Sequence, residues 1–241
     1  MAKLKIASGM VFERHEKKYL LTQAEYEQLL KSLMEYMQQD QYGLHTICSL
    51  YYDTEDYLLI RRSLEKPEYK EKLRLRSYGI PKQEDIVFLE LKKKLNGITY
   101  KRRVPMTLNE CEQYFSRGIL PEHKGQILNE IEWFKMHYRP APKVLVFYDR
   151  IALCGSADSS LRITFDKNTR WRNDQLTFAS GDYGTPLLSP GERLMEIKLN
   201  GAFPFWLSHL LSQQKIYPIS FSKYGRVYWE ILNMKEKRYV G

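Results

Sequence analysis

Lys72-Leu73-Arg74-Leu75-Arg76-Ser77-Tyr78-Gly79 decides how the rest of this chain is read. Side chains alternate across a strand. A strand here puts Lys72, Arg74, Arg76 and Tyr78 on one face and Leu73 and Leu75 on the other. The leucine face belongs on a core. The opposite face carries three cations in succession. An ordinary wet face mixes charge signs, because like charges placed side by side destabilise a sheet.

The pattern recurs along the chain. Over 86–94, Phe88, Glu90, Lys92 and Lys94 share a face opposite Val87, Leu89 and Leu91. Over 98–104, Lys101 and Arg103 share one. Over 143–151 the set is Val144, Val146, Tyr148 and Arg150; over 160–166 it is Arg162, Thr164 and Asp166. Over 192–199 it is Leu194, Glu196 and Lys198, and the first strand, within 12–20, offers Arg14, Glu16 and Lys18. Any one such strand reads most simply as half core and half solvent. Their succession makes sense if something anionic lies between them. A closed barrel would aim this face inward and remove the sheet edges. Arg suits phosphate, because its planar fork gives two parallel hydrogen bonds. A single phosphate does not need so many cations, whereas a triphosphate or longer chain does.

The remaining elements follow from spacing. Thr22 and Glu25 have capping-box spacing, and Tyr26, Leu29, Leu30, Leu33, Met34 and Met37 keep helical period, which predicts a helix over 23–38. A strand at 45–53 and a turn or short helix at 55–63 come next. Leu95-Asn96-Gly97 signals a hairpin between the strands at 86–94 and 98–104. Thr107 and Glu110 repeat the capping-box spacing before a helix at 108–116. Another helix is expected over 122–137, ended by Pro140 and Pro142, and closing helices over 203–214 and 222–234. Strands separated by helices give an α+β class. No boundary stands out, so residues 1–241 are expected to form one domain.

Composition sets the partner class. The 241 residues are 43% hydrophobic, and 38 Lys and Arg against 29 Asp and Glu leave a net charge of +9. That excess favours an anionic ligand. Cys48, Cys111 and Cys154 are too dispersed for a disulfide framework or a metal cluster, and His15, His45, His123, His137 and His209 show no metal spacing. No apolar run approaches the roughly 20 residues of a membrane helix. MAKLKIASGMVFERHEKKY at the start lacks an apolar signal core. These features predict a cytoplasmic protein. The 18 tyrosines among basic residues also suit single-stranded nucleic acid, but most keep core periods in the helices.

The run from Lys72 to Gly79 resembles the R-x-R-x-Y-G strand of the VTC domain, the polyphosphate polymerase domain of the triphosphate tunnel metalloenzyme superfamily. Further pieces are similar, in order: Lys18-Tyr19 to the first strand, Phe88-Leu-Glu90-Leu-Lys92 to an E-x-K strand, Lys101-Arg-Arg103 to a K-x-R strand. Tyr148-Asp-Arg150, Arg162-Ile-Thr-Phe-Asp166, Met195-Glu196-Ile-Lys198 and Ser222-Lys223-Tyr224 resemble the later elements. The resemblance implies a closed antiparallel β-barrel tunnel of about eight strands with flanking helices. It implies transfer of the γ-phosphate of ATP onto a polyphosphate chain with Mn²⁺ or Mg²⁺. Carried over by position, Arg74, Arg76, Lys92 and Lys223 take catalytic roles. Lys18, Lys101, Arg103, Arg150, Arg162 and Lys198 bind phosphate, and Glu196 holds the metal, with Glu16 or Glu90 as a second carboxylate.

The first strand departs from the family's triphosphatases. Their E-x-E-x-K signature reads Arg14-x-Glu16-x-Lys18 here, which moves the balance from hydrolysis toward chain binding or synthesis. A tunnel triphosphatase and a non-catalytic polyphosphate-binding module stay as alternatives. The expected partners are ATP and polyphosphate, without nucleic acid. A membrane-protein partner is left open.

Overall fold

The computed structural model describes residues 14–96, 98–122 and 125–240, without the side chains of Arg14, His15, Lys235 and residues 237–240. The N-terminal segment, Gly97 and His123 read above lie outside the described residues, as does the side chain of Arg14.

In chain order the elements are β1 (Arg14–Leu21), α1 (Gln23–Leu33), β2 (Met37–Gln39), β3 (His45–Asp53), α2 (Leu58–Leu64), β4 (Tyr69–Tyr78), β5 (Ile86–Leu95) and β6 (Ile98–Thr107). Then come α3 (Leu108–Arg117), α4 (Gln126–Tyr138), β7 (Ala141–Gly155), β8 (Arg162–Arg172), β9 (Thr185–Pro186), β10 (Arg193–Asn200), α5 (Phe205–Gln213) and α6 (Lys223–Val240). Both capping boxes form: Thr22 with Glu25 starts α1, and Thr107 with Glu110 starts α3. Among the described residues the chain folds as α+β, with six α-helices and one ten-stranded sheet.

Three helices differ from the spacing, one of them α6, which runs to Val240 rather than 234. The helical period from Tyr26 to Met37 outlasts the helix, which ends at Leu33. Met37 instead opens β2, which pairs with β7 at Gly155. Its side chain is buried beside Leu29 and Leu33 all the same, so one apolar face serves helix and strand in turn. α4 starts at Gln126 rather than 122.

Eight strands follow one antiparallel path, β1-β10-β8-β7-β3-β4-β5-β6, with β2 and β9 as short additions. Among the described residues no backbone pairing joins β6 to β1, so the expected closed barrel is a curled but open sheet. The convex face is apolar. α1 and α5 cover it over β1, β8 and β10, where Leu29, Leu33 and Leu207 meet Leu21, Ile163 and Ile197. α3 and α4 cover it over β4–β6, where Cys111, Tyr114, Ile131 and Phe134 meet Leu73, Leu89 and Val104. Full burial of each such side chain contributes about 1.5–3 kcal/mol. That fixes the register, since a one-residue slip would drive Arg74 and Arg76 into the apolar layer.

A third cluster lies on the concave side. Ile47, Tyr51, Val144, Val146 and Tyr148 pack against Tyr224, Val227 and Ile231 of α6, so this helix sits within the curl. Asp53, fully buried at the end of β3, anchors it. Its carboxylate accepts from the backbone N–H of Leu59 and Ile60 and from the Tyr224 hydroxyl at 2.8 Å. The three cysteines are unpaired, and no helix among the described residues is long and apolar enough to cross a membrane.

Candidate anion-binding site on the concave face

Pairing places the charged alternates of neighbouring strands beside each other. Glu90 of β5 sits between Arg74 of β4 and Arg103 of β6. It is 1% exposed, and four cations surround it. Arg74 Nε donates at 2.8 Å and Arg103 Nη2 at 2.6 Å; Lys101 Nζ lies at 2.8 Å and Arg76 Nε at 3.9 Å. Burial alone would push this carboxyl up. Arg74, Arg76 and Lys101 outweigh it and hold Glu90 well below the usual carboxylate range.

A second cluster forms around Asp166 on β8, which is fully buried. Arg150 donates from Nε at 2.6 Å and from Nη2 at 2.9 Å, and Lys223 at the start of α6 donates at 2.5 Å. Burial works against the charge here too, but Arg150 and Lys223 bring the Asp166 pKa down to about 2. Tyr148 links the clusters. Its hydroxyl accepts from Arg76 at 3.1 Å, and Lys223 Nζ sits 4.2 Å from its ring centroid.

A third group sits on β1 and β10. Lys18 faces Glu196, and Glu16 faces Lys198. Lys18 Nζ is 3.3 Å from Glu16 and Lys198 Nζ 2.6 Å from Glu196. Lys92 of β5 reaches Glu16 at 3.6 Å although their strands are far apart in the sheet. Lys92 pairs with Lys72, toward the Tyr52 end of β3. Glu16 leads through Lys198 and Arg162 to Cys154, beyond the His45 end. Their meeting requires strands steeply tilted to the axis of the curl, as in a barrel. A side-chain ion pair thus crosses the seam that the backbone leaves open.

The site residues expected from sequence all lie on this concave face: Arg74, Arg76, Lys92, Lys101, Arg103, Lys18, Arg150, Lys198, Glu16, Glu90 and Glu196 on strands, and Lys223 at the start of α6. Arg162 is at the rim, half exposed and paired with Asp40 at 2.9 Å. Leaving Arg162 aside and adding Lys72, ten basic side chains share the face with five carboxylates, Glu16, Asp53, Glu90, Asp166 and Glu196, so bases outnumber acids two to one. Ser49 Oγ, Thr164 Oγ1 and Arg76 Nε are buried on the same face without a hydrogen-bond partner among the described groups. Buried polar atoms are normally paired. An oxyanion ligand supplies acceptors for the hydroxyls and the guanidinium and neutralises the charge.

Pairing within the site also tests the metal expectation. Both oxygens of Glu90 face Arg or Lys, a donor set that does not fit a metal ion. Glu196 and Glu16 lie diagonally on adjacent strands and close enough to interact. Burial pushes Glu196 up, but Lys198, Lys18 and Lys223 hold it well below the usual range. Two ionised carboxylates fit a hard divalent cation that shares phosphate oxygens. No group of three or more His, Cys, Asp or Glu among the described residues forms a metal cage.

Three residues were not singled out as site members from sequence. Asp166 was visible in the alternation, but its role in holding both Arg150 and Lys223 depends on α6 folding back across 57 positions. Asp53 gives no local signal for its contact with Tyr224. Lys72 shared the face of Arg74 and acquires its character from burial. Its Nζ lies 3.4 Å from Ser222 Oγ, and burial, helped by Lys70, Lys92 and Lys18, brings its pKa down to about 7.

Two opposite pH dependences follow. Between about pH 7 and 10.5 the unfolded chain holds the Lys72 proton and the fold does not, so the ligand-free protein gains stability as pH rises. An anion needs the charged form, so affinity for inorganic triphosphate falls over the same rise. Titration calorimetry from pH 6 to 9 should show about a tenfold loss, and Lys72→Met should flatten it. An equal slope in that variant contradicts the assignment.

A protein-family model described as the VTC domain matches residues 13–229. No curated protein matches the chain. Among solved structures, a candidate adenylate cyclase from Bacillus halodurans aligns with a TM-score of 0.53 at 13% identity, covering 87% of this chain and 95% of that one. A second candidate adenylate cyclase, from Vibrio parahaemolyticus, aligns with a TM-score of 0.49 at 11% identity, over 91% of this chain and 99% of that one. At such identities the first likeness concerns the fold alone.

Proposed function

The chain belongs to the VTC domain family, and from that premise we propose that it is a polyphosphate polymerase that moves the γ-phosphate of ATP onto a polyphosphate chain held on the concave face. The observation that carries this reading is the twofold excess of basic over acidic side chains on one concave face, with buried donors facing the same space. A single phosphate is too small a counter-charge for so many basic groups.

In the reaction, a terminal phosphate oxygen of the chain bonds to the γ-phosphorus of ATP. The bond from that phosphorus to the β–γ bridging oxygen breaks, and ADP leaves with the electron pair. Such a transition state is loose, so positioning and charge neutralisation matter more than covalent catalysis. Arg74, whose Nε and Nη2 rest on Glu90, and Arg76, whose Nη2 donates to Tyr148, are held in place on the face and bind equatorial phosphate oxygens through their remaining N–H groups. Asp166 holds Arg150 and Lys223 as a rigid pair of donors, which lowers the reorganisation needed at the moment of transfer. Lys18, Lys92, Lys101, Arg103 and Lys198 bind the rest of the chain as point charges or forks, and Arg162 extends them at the rim. Glu196, with Glu16 beside it, would hold Mn²⁺ or Mg²⁺, whose charge offsets that of the phosphate oxygens.

Incubating the protein with ATP and Mn²⁺ or Mg²⁺ should give polyphosphate long enough to resolve on a gel. Orthophosphate as sole product would make it a triphosphatase. Tight, salt-sensitive binding without turnover under either metal would make it a binding module.

A further inference from the structure

At the end of the concave face away from α6, the side chains change from charged to aromatic. His45 of β3 and Tyr78 of β4 lie with ring centroids 6.1 Å apart, and Tyr42, in the turn before β3, stands 6.3 Å from His45. Phe88 of β5 follows at 5.8 Å from Tyr78. Register puts His45, Tyr78 and Phe88 on the same face as Arg76 and Glu90. Depth separates the two zones. Glu90 and Tyr148 are 1% and 3% exposed, whereas Tyr78 and Tyr42 are 50% and 67% exposed. These rings therefore form an entrance rather than a core.

The entrance is built rather than incidental. The Tyr78 hydroxyl accepts from Arg103 Nη2 at 3.3 Å, and the Arg103 guanidinium lies 4.2 Å from the Phe88 ring centroid while binding Glu90. Arg103 thereby ties the aromatic zone to the charged one. Gly79, at φ 80, turns the chain directly after Tyr78, and its N–H donates to Thr46 at 2.8 Å, which fixes the end of the strand. At the opposite, inner end, the Lys18 and Lys72 ammonium groups approach Phe221 and Ser222 just before α6.

An inorganic phosphate chain has no use for exposed aromatic rings. A nucleobase does, because every base presents a π-face that stacks on an aromatic side chain. We propose that Tyr78, with His45 and Tyr42, forms a base platform, so that this site takes a nucleoside triphosphate with its base at the entrance and its γ-phosphate directed inward toward Lys223. This rests on the phosphate-chain reading above and adds an orientation and a specificity element to it.

Affinities of the full chain for ATP and for inorganic triphosphate, in wild type, Tyr78→Ala, Tyr78→Phe and His45→Ala, test it by calorimetry. Tyr78→Ala should weaken ATP about tenfold or more while inorganic triphosphate changes less than about threefold. Tyr78→Phe should keep most of the ATP affinity, because the ring and not the hydroxyl carries the stacking. His45→Ala should move ATP in the same direction as Tyr78→Ala, by a smaller factor. Equal losses for both ligands in Tyr78→Ala would mean that the ring only positions Arg103, and the proposal falls. Wild-type protein that binds inorganic triphosphate but discriminates against ATP overturns the base platform and leaves the phosphate site standing. Wild-type protein that binds neither overturns both.

Discussion

Glu90→Gln should destabilise the ligand-free protein by about 3–5 kcal/mol, the usual cost of removing one partner from a buried ion pair. The carboxylate is 1% exposed and faces Arg74, Arg76, Lys101 and Arg103 together. A glutamine amide offers one acceptor, and its NH₂ points donors at cations. The loss should be partly reversed by inorganic triphosphate, whose oxygens can neutralise the freed side chains. Denaturant unfolding with and without triphosphate reads both effects. The ligand-induced gain in stability should be larger in the variant than in wild type if affinity for the anion has risen. A loss under about 1 kcal/mol would mean that the four cations do not depend on Glu90.

Arg76→Ala should spare stability more and activity less. Arg76 approaches Glu90 no closer than 3.9 Å, and three other cations remain on that carboxylate. Its Nη2 donates to Tyr148, while its buried Nε has no partner among the described groups. A preorganised donor of this kind is worth about 10²–10³ in turnover, so single-turnover polymerisation at saturating ATP should slow by that factor. Arg76→Lys keeps the charge but loses the fork, and should recover only part of the rate. A rate within about threefold of wild type in Arg76→Ala would remove this side chain from the transition state.

Both expectations depend on contacts of different legibility. The face of Arg74, Arg76, Glu90 and Lys92 follows from alternation, a period-two property of the local chain. The β5–β6 hairpin is almost as plain, because Leu95-Asn96-Gly97 makes sequence neighbours pair, whereas the place of β4 beside β5 comes from the structure. The two capping boxes were visible for the same local reason. The end of α1 was not, because Met37 satisfies the same apolar cluster from a strand that it would satisfy from a helix, and β2 exists only because β7 is there to pair with it. The closed barrel was an inference from resemblance; hydrogen bonding between strand edges depends on the final curl, which leaves β6 and β1 unpaired.

The carboxylates show the boundary most clearly. The resemblance names Glu196 as the metal ligand and leaves Glu16 and Glu90 as equal choices for a second carboxylate. Tertiary structure separates them, because Glu90 is enclosed by cations from three strands while Glu16 and Glu196 are neighbours at the seam. The run from Lys72 to Gly79 by itself determined that a row of cations shares one face of a strand. Only the tertiary structure decided that this face is concave, that α6 enters it, and that Tyr78 ends at its entrance while Arg76 ends inside. The physical reason is that alternation is set by the backbone of each strand, whereas depth and charge partners are set by strand tilt and by elements brought together from opposite ends of the chain.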